Sequence, residues 1–389
     1  MFNIDLSTRM RVYLDNAATT RIAPEVAEAM LPFFIEKYGN ASSIHSFGEQ
    51  AKEALENARE HFAKYINAES DEIIFTSGGT ESDNLAIRGT AQALKDKGNH
   101  IITSAFEHPA VLETCQALEK EGFEITYLPA SRDGFVDTEK VKSALKDNTI
   151  LVTIMHANNE IGTIQDIEKI GEICREKGIL FHTDAVQSLG KSPIDVKKMH
   201  IDLASFSAHK IHGPKGMGIL YVRKKVKIKK LFYGGAQEMN LRPGTENVSG
   251  AVGFSKALGM ITEEDIKRMT ELQNYLIDEL LKIPEACLNG SRKNRLCNNV
   301  NVSFSHIEGE SILLGLDDKG VAVSTGSACT SQKLEPSHVL LALGVKPEDA
   351  HGSIRFSLSK YTTKEEIDYA INSVKTVVEN LRKISPLGK

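Results

Sequence analysis

Short apolar runs punctuate the first two-thirds of the chain, and stretches with helical spacing of apolar residues lie between them. Six such runs predict strands, at residues 72–76, 100–103, 149–154, 178–182, 203–206 and 218–222. They are apolar on both faces, as strands of a parallel sheet covered by helices on each side must be. Near residue 255 the pattern changes. A long helical pattern over 263–281 leads into shorter strands at 299–304 and 353–358, and then into a last helix. Thr363 and Glu366 form its capping box, and Ile367, Ala370, Ile371, Val374, Val378 and Leu381 keep its apolar stripe. The pattern predicts an α/β protein, with a large domain to about residue 260 and a smaller α/β domain after it.

The composition narrows the function classes. The 389 residues are too many for one ordinary core, and 41% hydrophobic with 25% charged is an average soluble balance. The net charge of −5 (47 basic against 52 acidic) asks for no nucleic acid and no anionic membrane. The one basic run, Arg223-Lys224-Lys225 to Lys230, reads as a solvated strand end. No apolar stretch approaches the ~20 residues of a membrane helix, and the first residues have no signal-peptide pattern. Five cysteines, an odd number without close pairs, argue against a disulfide framework or a zinc site. A cytoplasmic protein is expected.

Four strand ends carry unusual polar sets, and ligands of open parallel sheets bind at such ends. Thr76-Ser77-Gly78-Gly79-Thr80-Glu81-Ser82-Asp83-Asn84 opens a helix whose free N–H groups suit an anion, a phosphate first of all. His182-Thr183-Asp184-Ala185-Val186-Gln187 puts a carboxylate at the end of a buried strand, where it needs a cation or a strong donor. Ser205-Phe206-Ser207-Ala208-His209-Lys210 puts a lysine where burial can lower its pKa. Ser324-Thr325-Gly326-Ser327-Ala328-Cys329-Thr330-Ser331 sets one cysteine among small hydroxylated residues, whereas Cys115 and Cys174 fall in helical patterns. Taken singly, the first reads more readily as an ordinary turn, the second no worse as a capping aspartate, and the third also as an exposed turn lysine. Together they are coherent.

With these four sets in order, the chain resembles the NifS/IscS-type cysteine desulfurases, class V aminotransferases of the fold-type I pyridoxal phosphate enzymes. The resemblance runs over essentially the whole chain, from Tyr13-Leu14-Asp15-Asn16-Ala17-Ala18-Thr19-Thr20 onward. Its most specific pieces are Gly39-Asn40-Ala41-Ser42-Ser43-Ile44-His45, His156-Ala157-Asn158-Asn159-Glu160-Ile161-Gly162 and Arg242-Pro243-Gly244-Thr245-Glu246-Asn247. It implies a mostly parallel seven-stranded sheet in a large domain of residues 15–260. Residues 1–14 and 261–389 would form the small domain that carries the cysteine loop.

The resemblance also implies roles. Lys210 would bond to the cofactor, Asp184 would pair with its ring nitrogen, and Gln187 would bond its ring oxygen. His108 would stack on the ring and move protons. Gly79, Thr80, Ser207 and His209 would hold the phosphate, with Thr245 reaching in from the second subunit of a homodimer. Asn159, also near the cofactor, and Arg355 would bind the substrate carboxylate. Cys329 would take sulfur from L-cysteine as a persulfide, leave alanine, and deliver the sulfur to an iron–sulfur scaffold protein or another acceptor. The alternatives within the fold are a selenocysteine lyase or another aminotransferase-like enzyme.

Overall fold

The computed structural model describes residues 10–325 and 336–385. The chain enters through a two-residue strand, β1 (Val12–Tyr13). Seven strands follow: β2 (Ile73–Thr76), β3 (His100–Ser104), β4 (Glu124–Leu128), β5 (Thr149–Thr153), β6 (Leu180–Asp184), β7 (Leu203–Ser207) and β8 (Gly218–Val222). They form one sheet in the order β2-β8-β7-β6-β5-β3-β4, parallel except that β8 runs antiparallel to both neighbours.

The sheet is buried because successive side chains of each strand enter different cores. Ile73 and Phe75 of β2, Ala204 and Phe206 of β7, and Ile219 and Tyr221 of β8 share one core. Helices Ser46–Tyr65, Ile167–Lys177 and Val248–Gly259 cover it with Phe62, Ile170 and Phe254. Ile74, Leu203 and Leu220, one residue along, enter the opposite core under helices Gly79–Leu94 and Pro109–Lys120. β4 was not expected. It is one of the two edge strands and, unlike the fully buried β2 at the other edge, is only partly buried along most of its length, so its sequence lacks the two-faced apolar signature of the others.

A third core joins Val12 and Leu14 to Leu276, Val302, Phe356 and Val374. It is built on helices Glu263–Leu280 and Lys364–Ile384 and a four-stranded antiparallel sheet. That sheet has the order β12-β13-β10-β9, from β9 (Ala286–Leu288), β10 (Asn299–Phe304), β12 (Ser324–Thr325) and β13 (Ser353–Ser357). β11 (Val321–Ala322) pairs in parallel with β1, which ties the chain's start to this region. The Thr363–Glu366 capping box forms as expected. Among the described residues no helix is long and apolar enough to cross a membrane.

One buried ion pair fixes the segment after β8. The Arg59 guanidinium donates to both Glu238 oxygens at 2.8 Å, and Glu238 also accepts from the Phe75 N–H at 2.7 Å. Both side chains are buried. Removing one partner strands the other charge away from water, so Glu238→Ala is expected to cost about 3–5 kcal/mol in urea unfolding. A loss below about 1 kcal/mol, the size of a surface pair, would mean that water reaches the guanidinium.

Candidate active site

The C-terminal ends of β2, β3, β6 and β7 meet at a cavity of about 350 Å³. Its walls include Gly79, Thr80, His108, Asn159, Asp184, Gln187, Ser207, His209, Lys210 and Arg355, so ten of the twelve expected site residues come together. Thr245 is not among its lining residues, and Cys329 lies outside the described residues. The chain on either side of the cysteine segment does reach the site. Ser324 pairs with Arg355 across β12 and β13, and His338 lines the cavity.

At one end the cavity suits an anion. Gly79 and Thr80 begin helix Gly79–Leu94, whose first N–H groups have no helical partner. The backbone here runs close to its neighbours: a Cβ on Gly218 would stand 2.5 Å from the Gly78 Cα, and one on Gly79 would stand 2.7 Å from the Val186 side chain. The Ser207 hydroxyl is buried and has no hydrogen-bond partner. The His209 Nδ1 lies 3.1 Å from the Thr19 hydroxyl, and burial, reinforced by the charge of Lys210, pulls this imidazole down to about 4. It is therefore neutral in the working pH range.

The middle of the cavity holds a buried carboxyl, a lysine and an imidazole. Asp184 ends β6, and its Oδ1 accepts from the Val186 N–H at 2.9 Å. Burial raises its pKa, while His108 and Lys210 act the other way. Asp83 and Glu107 are also buried nearby, and burial pushes Glu107 up to about 8. Three carboxyls in a dry site cannot all ionise without a cation. A protonated ring nitrogen at Asp184 would be such a cation. Lys210 Nζ donates to the carbonyls of Ala17 and Ala18 at 2.5 and 2.7 Å, and Gln187 Nε2 donates to Ala17 O at 3.0 Å. His108 caps helix Pro109–Lys120: its Nδ1 accepts from the Ala110 N–H at 3.1 Å, which leaves the neutral ring's proton on Nε2. Burial lowers its pKa.

The far wall suits a carboxylate. Arg355 is buried on β13, with Nη2 donating to Asp15 Oδ1 at 2.9 Å and Nη1 to Asn159 O at 3.0 Å. Its Nε is buried with no partner. A guanidinium held by two bonds, with a donor left over, is prepared for a second carboxylate.

Sequence reasoning missed several contributors. The Ala17 and Ala18 carbonyls have no side-chain signature. Glu107 was passed over beside His108, yet it accepts from the Ser104 hydroxyl at 2.5 Å and from the Met155 N–H, and so fixes the loop that presents His108. His338 Nε2 donates to the Glu107 carbonyl at 3.0 Å, and the Ser337 hydroxyl donates to Glu160. A serine and histidine ending the cysteine segment were the available signal. A larger cleft of about 870 Å³ lies at the opposite ends of β5 and β6, lined by Lys97, Lys142, Lys146, Lys177 and Arg223, and holds none of the expected residues.

The anion end, the orphaned Ser207 hydroxyl, the cation-seeking Asp184 and the lysine opposite fit pyridoxal phosphate. Comparison with known proteins agrees. The aminotransferase class-V family profile matches residues 12–370. The cysteine desulfurase IscS of Dictyoglomus turgidum is 58% identical over 382 residues, with 97% of each chain covered. That of Methanosarcina thermophila is 55% identical, covering 97% of this chain and 94% of the relative. Among solved structures, a NifS-like protein superposes with a TM-score of 0.91 at 42% identity, covering 96% of this chain and all of that one. SspA in complex with cysteine gives 0.82 at 38% identity, over 91% of this chain and all of the other. The chain thus belongs to the class-V aminotransferase family of pyridoxal phosphate-dependent enzymes.

Proposed function

We propose that the chain is a cysteine desulfurase that converts L-cysteine to L-alanine and carries the sulfur as a persulfide on Cys329. The single observation that carries this reading is one cavity that joins Lys210 and Asp184 to Arg355, with the chain flanking Cys329 at its wall. The IscS relatives and the cysteine complex of SspA support the substrate.

When bound, pyridoxal phosphate supplies an electron sink for the pair released at the substrate Cα. The chain's own residues bind, orient and move protons. Gly79, Thr80, Ser207 and His209 hold the phosphate, and Asp184 keeps a positive ring nitrogen in place. Arg355 and Asn159 take the substrate carboxylate, which sets the Cα–H bond toward Lys210. Lys210, which would bear the cofactor, is the amine placed to accept the Cα proton. His108 lines the cavity and, with Nδ1 accepting from the Ala110 N–H, carries its neutral ring's proton on Nε2. Cys329, as thiolate, then forms an S–S bond to the substrate sulfur. The Cβ–S bond breaks, its electron pair stays on carbon, and protonation there gives the methyl group of alanine.

The finer assignments belong to the same proposal. Residues 15–260 form the large domain, and residues 1–14 with 261–389 the small one; the separate core around Val12, Leu14 and the C-terminal elements supports this division. The protein acts in the cytoplasm as a homodimer, with Thr245 completing the phosphate site of the partner subunit. Exposed Leu31, Phe34, Ile35, Tyr38, Ile44 and Phe47, apolar and close in sequence, support a second copy there. An iron–sulfur scaffold protein is the acceptor.

The test is the absorption spectrum of the protein with pyridoxal phosphate, before and after L-cysteine, with alanine and sulfide assayed together. A visible band that shifts on L-cysteine, with alanine matching reductant-released sulfide, is expected. A band without sulfide would move the substrate elsewhere, and turnover confined to selenocysteine would make the enzyme a lyase for that amino acid.

A further inference from the structure

A second lysine stands directly behind the site. Lys191 lies four residues after Gln187, past the end of β6, and is only partly exposed. Its Nζ donates to the carbonyl of Gln187 at 3.1 Å and to the carbonyl of Lys210 at 3.2 Å. Those carbonyls belong to different segments, one following β6 and the other following β7. Two carbonyl oxygens aimed at one point repel each other unless a donor lies between them. An ammonium, with three donors and a full charge, is the strongest donor available to a side chain here.

The placement is not explained by an ion pair. Among the described residues Lys191 has no carboxylate partner, and it lines a cavity of about 40 Å³ shared with Asn16, Asn298, Leu358 and Lys360. Burial works against its charge and pulls the ammonium down to about 8. An unbranched apolar side chain would fill the same path without that penalty. On the front of the same segments, the Ala17 carbonyl accepts from both Gln187 Nε2 and Lys210 Nζ. Gln187 and Lys210 are thus linked twice, through side chains in front and through backbone behind. Only the link behind makes no use of the two side chains.

We infer that Lys191 is a positioning residue: its ammonium ties the Gln187 segment to the Lys210 segment and so sets where Lys210 Nζ stands in the cavity. The inference rests on the reading of Lys210 as the cofactor-bearing lysine. Arg355 and Asn159 lie on other elements, so the brace acts on the cofactor end of the site and leaves the carboxylate end alone.

The test compares Lys191→Met, Lys191→Arg and Lys210→Ala in the full-length protein. K191M is expected to hold pyridoxal phosphate about tenfold more weakly and to lose about tenfold in kcat, the size of effect that outer hydrogen-bond partners have on a site. The KM for L-cysteine should stay close to that of the unaltered protein. The pH midpoint of the bound cofactor's visible band should move, because Lys210 no longer sits in the same place. K191R, which keeps a charged donor, should restore the midpoint and most of the retention. Unchanged retention, kcat and midpoint in folded K191M would overturn the inference, and so would K191R falling as far as K191M. If K191M does not fold, Lys191→Gln replaces it under the same two outcomes. K210A separates the two readings: a visible band of normal intensity and midpoint in K210A would remove the role of Lys210, and this inference with it.

Discussion

Lys210→Ala is expected to give a folded protein that turns over no measurable L-cysteine, a loss on the order of 10⁴-fold or more, as when one member of a concerted catalytic unit is removed. The reason is geometric. Within the cavity Lys210 is the amine that faces both Asp184 and the Arg355 wall. Lys191, the other lysine at hand, has its Nζ committed to two backbone carbonyls on the far side of the same segments. His108 cannot stand in as a base while its Nδ1 accepts from the Ala110 N–H, because the remaining ring nitrogen then carries the proton. Folding should survive, since the amine's bonds to the carbonyls of Ala17 and Ala18 lie at the cavity wall. The Ala17 carbonyl keeps its bond from Gln187 Nε2, and the lost bond to the Ala18 carbonyl costs about 1–3 kcal/mol, well inside the stability of a protein this size. Turnover, cofactor absorbance and urea unfolding on one preparation decide the matter. Residual activity above about 1% would assign the proton transfer to another group, because a base that truly acts at Cα contributes at least 10²-fold.

How much of this was legible in the sequence follows from where each signal resides. Strands buried on both faces announce themselves, and all six expected runs are strands of the central sheet. The run at 178–182 was placed two residues early because Gly178 looked like part of it. In fact Gly178 ends the preceding helix in a left-handed conformation (φ 67°), and β6 begins at Leu180. That shift matters, for it puts Asp184 inside the last position of the strand and therefore in a fixed direction. The site residues were legible because they cluster in sequence at strand ends. Contributors drawn from distant parts of the chain were not. Asp15 meets Arg355 across 340 positions, and the Ala17 carbonyl becomes a hub for Gln187 and Lys210 only once β1 has joined β11. The motif around Asp15 was visible, but its work is done largely by main-chain oxygens that any residue would supply.

Cys329→Ser should lose sulfide and persulfide formation by at least about 10²-fold while keeping the cofactor band and its shift on adding L-cysteine, since the thiolate is the nucleophile and a hydroxyl at the same place cannot replace it. The two effects separate because the cofactor and carboxylate groups stand on other elements: Asp184 on β6, Lys210 after β7 and Arg355 on β13. No other cysteine can take over. Burial pushes Cys115 and Cys174 up to about 12 and Cys297 up to about 11, so none of them supplies a thiolate near neutral pH. Cys287 is exposed, but it lies on β9, at the opposite edge of the small sheet from β12 and with β10 between it and the strand of Arg355. Labelling of the persulfide after one turnover, with alanine measured alongside, reads the outcome. If sulfur still leaves L-cysteine at the normal rate in Cys329→Ser, the attack comes from outside the chain, by an acceptor thiol entering the cavity directly. If the band's response to L-cysteine is lost as well, Cys329 shapes substrate binding, and the division of labour between the two regions is wrong.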